Sequence, residues 1–312
     1  VKVGTRASKL ARLQTDLVVG RIAELFPSET VEIVTISTGG DRNRSVPIAD
    51  LGVRGVFVKE LEDALLAGDV DFVVHSLKDM PSDLPDGLCL VAVLNREDRR
   101  DVLVSRDGLS LAKLPPGSRV ATSSRRRAAQ IKAIRDDLEF VDIRGNVPTR
   151  IEKMQAGQCD AMVLAAAGLT RLGLDEHISE AFAIDVCTPA AGQGALALEC
   201  REKDRELVEM LNSLDDSVVR AEIECERAYL AELGGGCSVP IGASAKVIED
   251  RLELTGCIAA LDGSSIFRRE HRGPRSEPAS LGRELATLML EGEARKVVAS
   301  LRASLPGAIS PP

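Results

Sequence analysis

The chain has no tryptophan, one tyrosine and six phenylalanines among 312 residues, so aromatic side chains make up only 2% of it. Base stacking therefore has almost nothing to work with, and a formal charge of −8 repels a polyanion, so nucleic acid is not an expected partner. Histidine is scarce too: His75, His177 and His271 stand apart from one another and from every cysteine. A transition-metal site needs such ligands clustered, so no metal is expected. The seven cysteines are an odd number, and none has the spacing of a zinc ribbon or a redox CxxC, which points to reduced and mostly buried thiols. No apolar run reaches the roughly 18–20 residues of a membrane helix. The opening Val1-Lys2-Val3-Gly4 lacks a secretory pattern, so the expected location is the cytoplasm; a leader removed before Val1 would equally place the chain in a plastid or other organelle.

What is present is ordinary globular material, 44% hydrophobic and 28% charged, long enough for two or three domains. Leu10, Leu13, Leu17 and Leu25 fall near helical spacing over about 8–25, whereas Val31 to Ile36 largely alternates. With a strand at 2–4, a helix at about 58–67 and a strand at 71–75, the first third reads βαβαβ, implying a mainly parallel sheet. After Pro115-Pro116-Gly117 the rhythm returns: strands at 119–122, 139–143 and 161–165 alternate with helices at 124–134 and 148–156. Two α/β domains of like design would face each other across a cleft lined by strand-end loops. From about Ser217 the order becomes a helix, three strands and a helix near 280–301, a small α+β domain.

The candidate site residues fall at strand ends. Thr122-Ser123-Ser124-Arg125-Arg126-Arg127 brings hydroxyls, free helix N–H groups and guanidinium forks to one turn, a good carboxylate or phosphate site, although a run of three arginines also suits a solvated helix cap. Arg6 follows the first strand, and Arg144 and Arg150 follow the strand ending at Ile143. Arginine at such positions favours planar anions. No GxxxxGK[ST] loop or strand-linked GxGxxG accompanies them, which favours carboxylate over nucleotide phosphate. After the strand Phe72-Val73-Val74 comes His75-Ser76-Leu77-Lys78-Asp79. Lys78 and Asp79 form either a surface ion pair worth about 0–1 kcal/mol or, in a cleft, an acid–base and cation-stabilising pair. Gly234-Gly235-Gly236-Cys237 leaves a thiol without neighbouring side chains, which suits a covalent anchor and equally a turn with an incidental cysteine.

Taken in order, Gly4-Thr5-Arg6, Phe57-Val58-Lys59-Glu60-Leu61, His75-Ser76-Leu77-Lys78-Asp79, the Thr122-to-Arg127 turn, Arg144-Gly145-Asn146-Val147, Gly192-Gln193-Gly194-Ala195, Glu226-Arg227 and Gly235-Gly236-Cys237 resemble the porphobilinogen deaminase (hydroxymethylbilane synthase) family over nearly the whole chain. The resemblance implies a transferase of tetrapyrrole biosynthesis that joins four porphobilinogens head to tail, releasing ammonia, on a dipyrromethane cofactor held by thioether to Cys237. It implies Asp79 as the catalytic carboxylate that stabilises an azafulvene cation. Ser8, Lys78, Thr122, Ser124, Arg126 and Arg127 match positions that hold the cofactor. Arg6, Arg144 and Arg150, with Phe57, Arg171 and Gln193, match the substrate side. Porphobilinogen and its growing oligopyrrole chain are the implied partners of a monomer without metal.

The same resemblance implies two periplasmic-binding-protein-like (type II) α/β domains, at 1–95 with 195–212 and at 100–188, and an α+β domain at 217–312 carrying the cofactor cysteine. The sequence departs from the family's pattern at Arg54, Arg125, Ala191 and Gly234 and in the basic segment Arg42 to Pro47, none of which removes a proposed catalytic residue. A two-lobed solute-binding module is the rival from another class; it predicts a secretory leader, no Gly-Gly-Cys and no third domain. An inactive relative would be expected to lack some of Asp79, Cys237 and the arginines.

Overall fold

The computed structural model describes residues 1–39, 57–94, 96–234 and 239–303. The first sheet has the order β2-β1-β3-β10-β4: β1 (Lys2–Arg6), β2 (Glu32–Ile36), β3 (Phe72–Ser76), β4 (Leu88–Leu94) and β10 (Leu196–Arg201). β1 runs parallel to β2 and β3, while β10 is antiparallel to both β3 and β4. The second sheet repeats this design in the order β7-β6-β8-β5-β9, from β5 (Asp101–Ser105), β6 (Arg119–Ala121), β7 (Glu139–Val141), β8 (Ala161–Ala165) and β9 (Glu180–Ala181). There β6 is parallel to β7 and β8, and β5 is antiparallel to β8 and β9. This is the paired α/β architecture expected from the sequence.

Helices connect the parallel strands because parallel neighbours need a crossover. They are α1 (Lys9–Leu25) and α2 (Lys59–Ala67) for the first sheet, and α3 (Arg125–Lys132), α4 (Val147–Gln155) and α5 (Ala166–Leu172) for the second. Three of them, α1, α3 and α4, start at a side-chain cap. Ser8, Ser124 and Asn146 accept from the backbone N–H three residues on, and Pro148 occupies the first turn of α4. Under the first sheet pack Val18, Ile22, Phe72 and Leu198; under the second, Val102, Met154, Met162 and Leu169.

After β10 the chain runs through α6 (Arg205–Asn212) into α7 (Ser217–Glu232). Three antiparallel strands follow, β11 (Ile241–Ile248), β12 (Arg251–Ala259) and β13 (Ile266–Pro274), then α8 (Pro278–Leu290) and α9 (Ala294–Ala303). Tyr229, Leu252, Leu254, Ile258 and Leu285 form the core between this sheet and its helices. The single helix expected near 280–301 is two, and Gly292 stands between them. No described helix is long and apolar enough to cross a membrane.

The chain leaves the first sheet after β4 and returns to it at β10, so two segments, near 96–100 and 189–195, cross between the sheets side by side. Glu97 N–H donates to the Gly194 carbonyl at 3.2 Å, Arg96 Nε to the Gln193 carbonyl at 2.8 Å, and Gln193 Nε2 to the Arg99 carbonyl at 2.8 Å. α7 clamps both. Glu226 takes a two-pronged ion pair from Arg96 at 2.7 and 3.0 Å and accepts from the backbone N–H of Gly192 and of Ala245, each at 2.7 Å. One turn earlier, Glu222 accepts from Arg99 Nη2 at 2.7 Å. Bidentate arginine and backbone donors satisfy the acceptor positions of a fully buried carboxylate, which is what burying a charge requires.

Candidate functional site

The site is built around Asp101, the first residue of β5, which is fully buried. The Ser124 cap sends the first turn of α3 inward, so Arg126 Nη1 reaches Asp101 Oδ2 at 2.5 Å and Arg127 Nε reaches Oδ1 at 2.8 Å. Gln193 Nε2 adds a third donor at 2.9 Å. Burial alone would push the Asp101 carboxyl up, but the two guanidiniums outweigh it and hold the group well below the usual carboxylate range. Arg126 Nη1 also donates to the Thr188 carbonyl at 2.7 Å, and Arg127 Nη1 to the Val163 carbonyl at 3.1 Å. The triple-arginine turn is therefore no solvated basic cap: Arg126 and Arg127 are both buried.

Gln193 connects this cluster to the first sheet. Its Oε1 accepts from Arg127 Nη2 and from Lys78 Nζ, each at 3.4 Å. Lys78 and Asp79 lie in a short 3₁₀ turn (Leu77–Asp79) that continues β3, and both are half-buried. Burial, then the positive charge of Arg127, pushes the Lys78 ammonium down to about 8, against the opposing pull of Asp79 and Asp101. Gly192 packs against this turn at φ 77, and a Cβ there would stand 2.1 Å from Leu77 Cδ2. Only glycine combines that dihedral with that approach.

Arg144 and Arg150 flank the N-terminus of α4, where Arg150 Nε donates to the Gly145 carbonyl at 2.7 Å. Burial and the neighbouring Arg127 and Arg144 push Arg150 down to about 10. Arg171, on α5, donates from Nη2 to the Gly194 carbonyl at 2.6 Å. The Nε atoms of Arg144 and Arg171 are buried with no hydrogen-bond partner among the described residues. Arg6 stacks on the Phe57 ring at 4.1 Å, a cation–π contact that holds two expected substrate-side residues together. Ser8 accepts from Ala11 N–H at 3.2 Å and Thr122 Oγ1 from Ser124 N–H at 3.2 Å, so both hydroxyls shape helix starts.

Lys78, Gln193, Arg126 and Arg127 thus form one connected network, with Arg150 close enough to feel the charge of Arg127. Cys237, the glycines at 235 and 236, Arg54 and the basic segment 42–47 lie outside the described residues. The other six cysteines are free thiols, all pushed up, burial being the leading cause in each. Among the described residues no group of three or more His, Cys, Asp or Glu is placed to hold a metal ion. Asp101 and the Arg96, Arg99 and Glu222 clamp were not anticipated; the run Arg99-Arg100-Asp101 at the start of an all-buried strand is the only trace they leave in sequence.

The family models and the curated relatives point to one family. Residues 1–209 match the porphobilinogen deaminase dipyromethane cofactor binding domain and residues 220–291 the porphobilinogen deaminase C-terminal domain. The chain is 48% identical over 297 residues to porphobilinogen deaminase of Roseiflexus sp. (strain RS-1), covering 95% of this chain and 98% of that protein. It is 45% identical over 306 residues to that of Geobacillus kaustophilus, covering 98% of each. Among solved structures, the Bordetella pertussis BvgS VFT2 domain aligns at 17% identity and a TM-score of 0.42, covering 69% of this chain and 85% of that one.

Proposed function

The chain belongs to the porphobilinogen deaminase family, which polymerises porphobilinogen into hydroxymethylbilane on a dipyrromethane cofactor, and we propose that its chemistry is centred on Asp79 beside the network of Lys78, Gln193, Arg126 and Arg127. The observation that carries this reading is the uncompensated positive charge. Lys78, Arg126, Arg127, Arg144 and Arg150 converge where Asp79 and Asp101 are the described carboxylates that oppose them, and the buried Nε atoms of Arg144 and Arg171 lack acceptors among the described residues. A cofactor and substrate bearing an acetate and a propionate on every ring supply the missing acceptors.

Cys237 is the tether, by thioether. Support comes from Cys159, Cys187, Cys200, Cys225 and Cys257, buried thiols that burial pushes up and away from the reactive thiolate. Once bound, the dipyrromethane supplies the pyrrole terminus onto which the chain is built. Arg126 and Arg127, pinned by Asp101, present fixed positive charge from the second sheet, while Lys78 faces them from the first and holds a proton at Nζ less tightly than an ordinary lysine. Arg144 and Arg150 bind acetate and propionate groups. Ser8, Thr122 and Ser124 set the helix starts around the cofactor, and Arg6 with Phe57, Arg171 and Gln193 complete the substrate side. Asp79 opposes the positive charge that develops on a pyrrole as ammonia departs, where a fixed carboxylate in a water-poor site is most effective.

The domain division at 1–95 with 195–212, 100–188 and 217–312 follows the three sheets, and we assign the protein to the cytoplasm as a monomer. Replacing Asp79 by Asn tests the central assignment. Turnover of porphobilinogen should fall by about 10²-fold or more, the scale of a lost transition-state contact, while the purified variant keeps its dipyrromethane mass. Near-normal turnover at full cofactor loading would reject the role of Asp79.

A further inference from the structure

α7 turns two stripes toward the site. Glu222 and Glu226 hold the crossover segments, whereas Val219, Ile223 and Arg227 recur every four residues and share a second stripe. Val219 and Ile223 belong to one apolar cluster with Leu77 and Met80, the residues on either side of Lys78 and Asp79. One helical turn beyond Ile223, Arg227 Nη2 donates to the Pro81 carbonyl at 2.7 Å and to the Ser82 carbonyl at 2.9 Å. Arg227 is half-buried and has no ion-pair partner among the described residues; Asp83 and Glu199 act on it only from beyond ion-pair distance. Its guanidinium is thus committed to the main chain just past Asp79.

Those bonds act on the side where the turn is otherwise loosely held. Its entry is fixed by β3, which is paired with β1 and β10, and by Leu77 N–H, which donates to the Ala195 carbonyl at 3.1 Å. Met80 N–H closes the turn onto the Leu77 carbonyl at 3.0 Å. The chain that leaves it, 81–87, is neither strand nor helix, and among the described residues Arg227 supplies the only donors that reach 80–86 from another element. Met80 and Leu84 pack on the apolar cluster, but such packing is non-directional and fixes no orientation of the peptides between them. The Asp79 carboxylate itself accepts no hydrogen bond among the described residues, so the main chain on either side must aim it.

We propose that Arg227 is a positioning residue for Asp79. Its two bonds fix the peptides that leave the turn, and together with the strand ladder that enters it they set the direction in which the carboxylate points. The same helix ends at Glu232, five residues before Cys237, so one rigid element both aims Asp79 and begins the approach to the tether. The proposal rests on the role of Asp79 given above.

The test is Arg227→Met, made alone and together with Asp79→Asn, in the cofactor-loaded enzyme with loading checked by intact mass. Asp79→Asn alone reports on the role of Asp79, so failure of that reading is seen separately. Arg227→Met should lower kcat per loaded site by about tenfold or more, because a misplacement of ~1 Å can cost about 10²-fold. KM should stay within about twofold, since the groups that bind carboxylates keep their places. Exchange of the Met80 amide should be faster by about tenfold or more. In the Asp79→Asn background the same substitution should change the rate of pyrrole addition, counted by intact mass, by about twofold or less, because no carboxylate remains to be aimed. An equal fall in both backgrounds, a raised KM at unchanged kcat, or an unchanged Met80 exchange rate would overturn the proposal. Should the Met variant not fold, Arg227→Lys takes its place: its Nζ stands one bond short of Nη2, and a fall in kcat of about threefold or more that vanishes beside Asp79→Asn is expected, whereas parental kcat would overturn the proposal.

Discussion

Replacing Asp101 by Asn removes one negative charge from between two guanidiniums and leaves the space almost unchanged. The structure sets the size of the effect. Asp101 is fully buried and receives Arg126 at 2.5 Å, Arg127 at 2.8 Å and Gln193 at 2.9 Å, so in the variant two buried cations face a neutral amide whose NH₂ group cannot accept. Breaking a buried pair from one side costs about 3–5 kcal/mol, a large part of the ~5–15 kcal/mol by which domains are stable. The loss should appear in urea unfolding followed by far-ultraviolet circular dichroism, the chain having no tryptophan to report. Its pH dependence follows from the lowered carboxyl: the wild-type contribution is fully present above the unfolded value of ~3.9 and is lost as pH falls toward the lower folded one. The difference between the proteins should therefore be constant from pH 8 to about 5 and shrink below about 4. Equal stabilities at pH 7, or a gap that persists undiminished in acid, would refute the Asp101 clamp.

Three further changes probe other parts. Gly192→Ala forces a Cβ to 2.1 Å from Leu77 Cδ2 at φ 77; a loss of about 1–3 kcal/mol is expected, with reduced kcat because the Lys78–Asp79 turn must move, and thermal denaturation and kinetics check both. Glu62 is pushed up to about 7, by burial first and then by Glu199, so wild-type folding is penalised increasingly from the unfolded value of ~4.3 up to about 7 and constantly above. Glu62→Gln should thus be more stable by about 1–3 kcal/mol at pH 8, with the gain fading toward pH 4.5 in urea titrations. Arg144→Gln removes a guanidinium whose Nε has no acceptor among the described residues; losing charge-assisted bonds worth about 1.5–3 kcal/mol should lower kcat/KM roughly 10–150-fold while leaving unfolding nearly unchanged.

Much of this arrangement was legible in the sequence wherever local pattern and chemistry agree. Periodic leucines announced α1, and the hydroxyls before Arg125 announced a helix start. Strands β4, β5, β9 and β10 escaped notice. β4 is a continuous apolar run, Leu-Cys-Leu-Val-Ala-Val-Leu, without alternation, and β5 and β9 find partners far away in the chain. α5 has seven residues and no side-chain cap. At the site, strand-end arginines were visible because their chemistry is unusual in an acidic chain. What stayed hidden was their counter-charge: Asp101, Glu222 and His75 become partners only when segments 25 to more than 120 residues apart meet. The sequence also left open whether the triple-arginine turn faces solvent, which burial of Arg126 and Arg127 answers.

The central claim, a dipyrromethane-bearing polymerase tethered through Cys237, is tested most directly by the intact mass of the purified protein and of its Cys237→Ala variant. The account predicts that the parent exceeds its sequence mass by one dipyrromethane, and that the variant shows the bare chain mass and no porphobilinogen turnover. A parent at bare chain mass that still forms hydroxymethylbilane, or a Cys237→Ala variant that keeps the added mass, would contradict it.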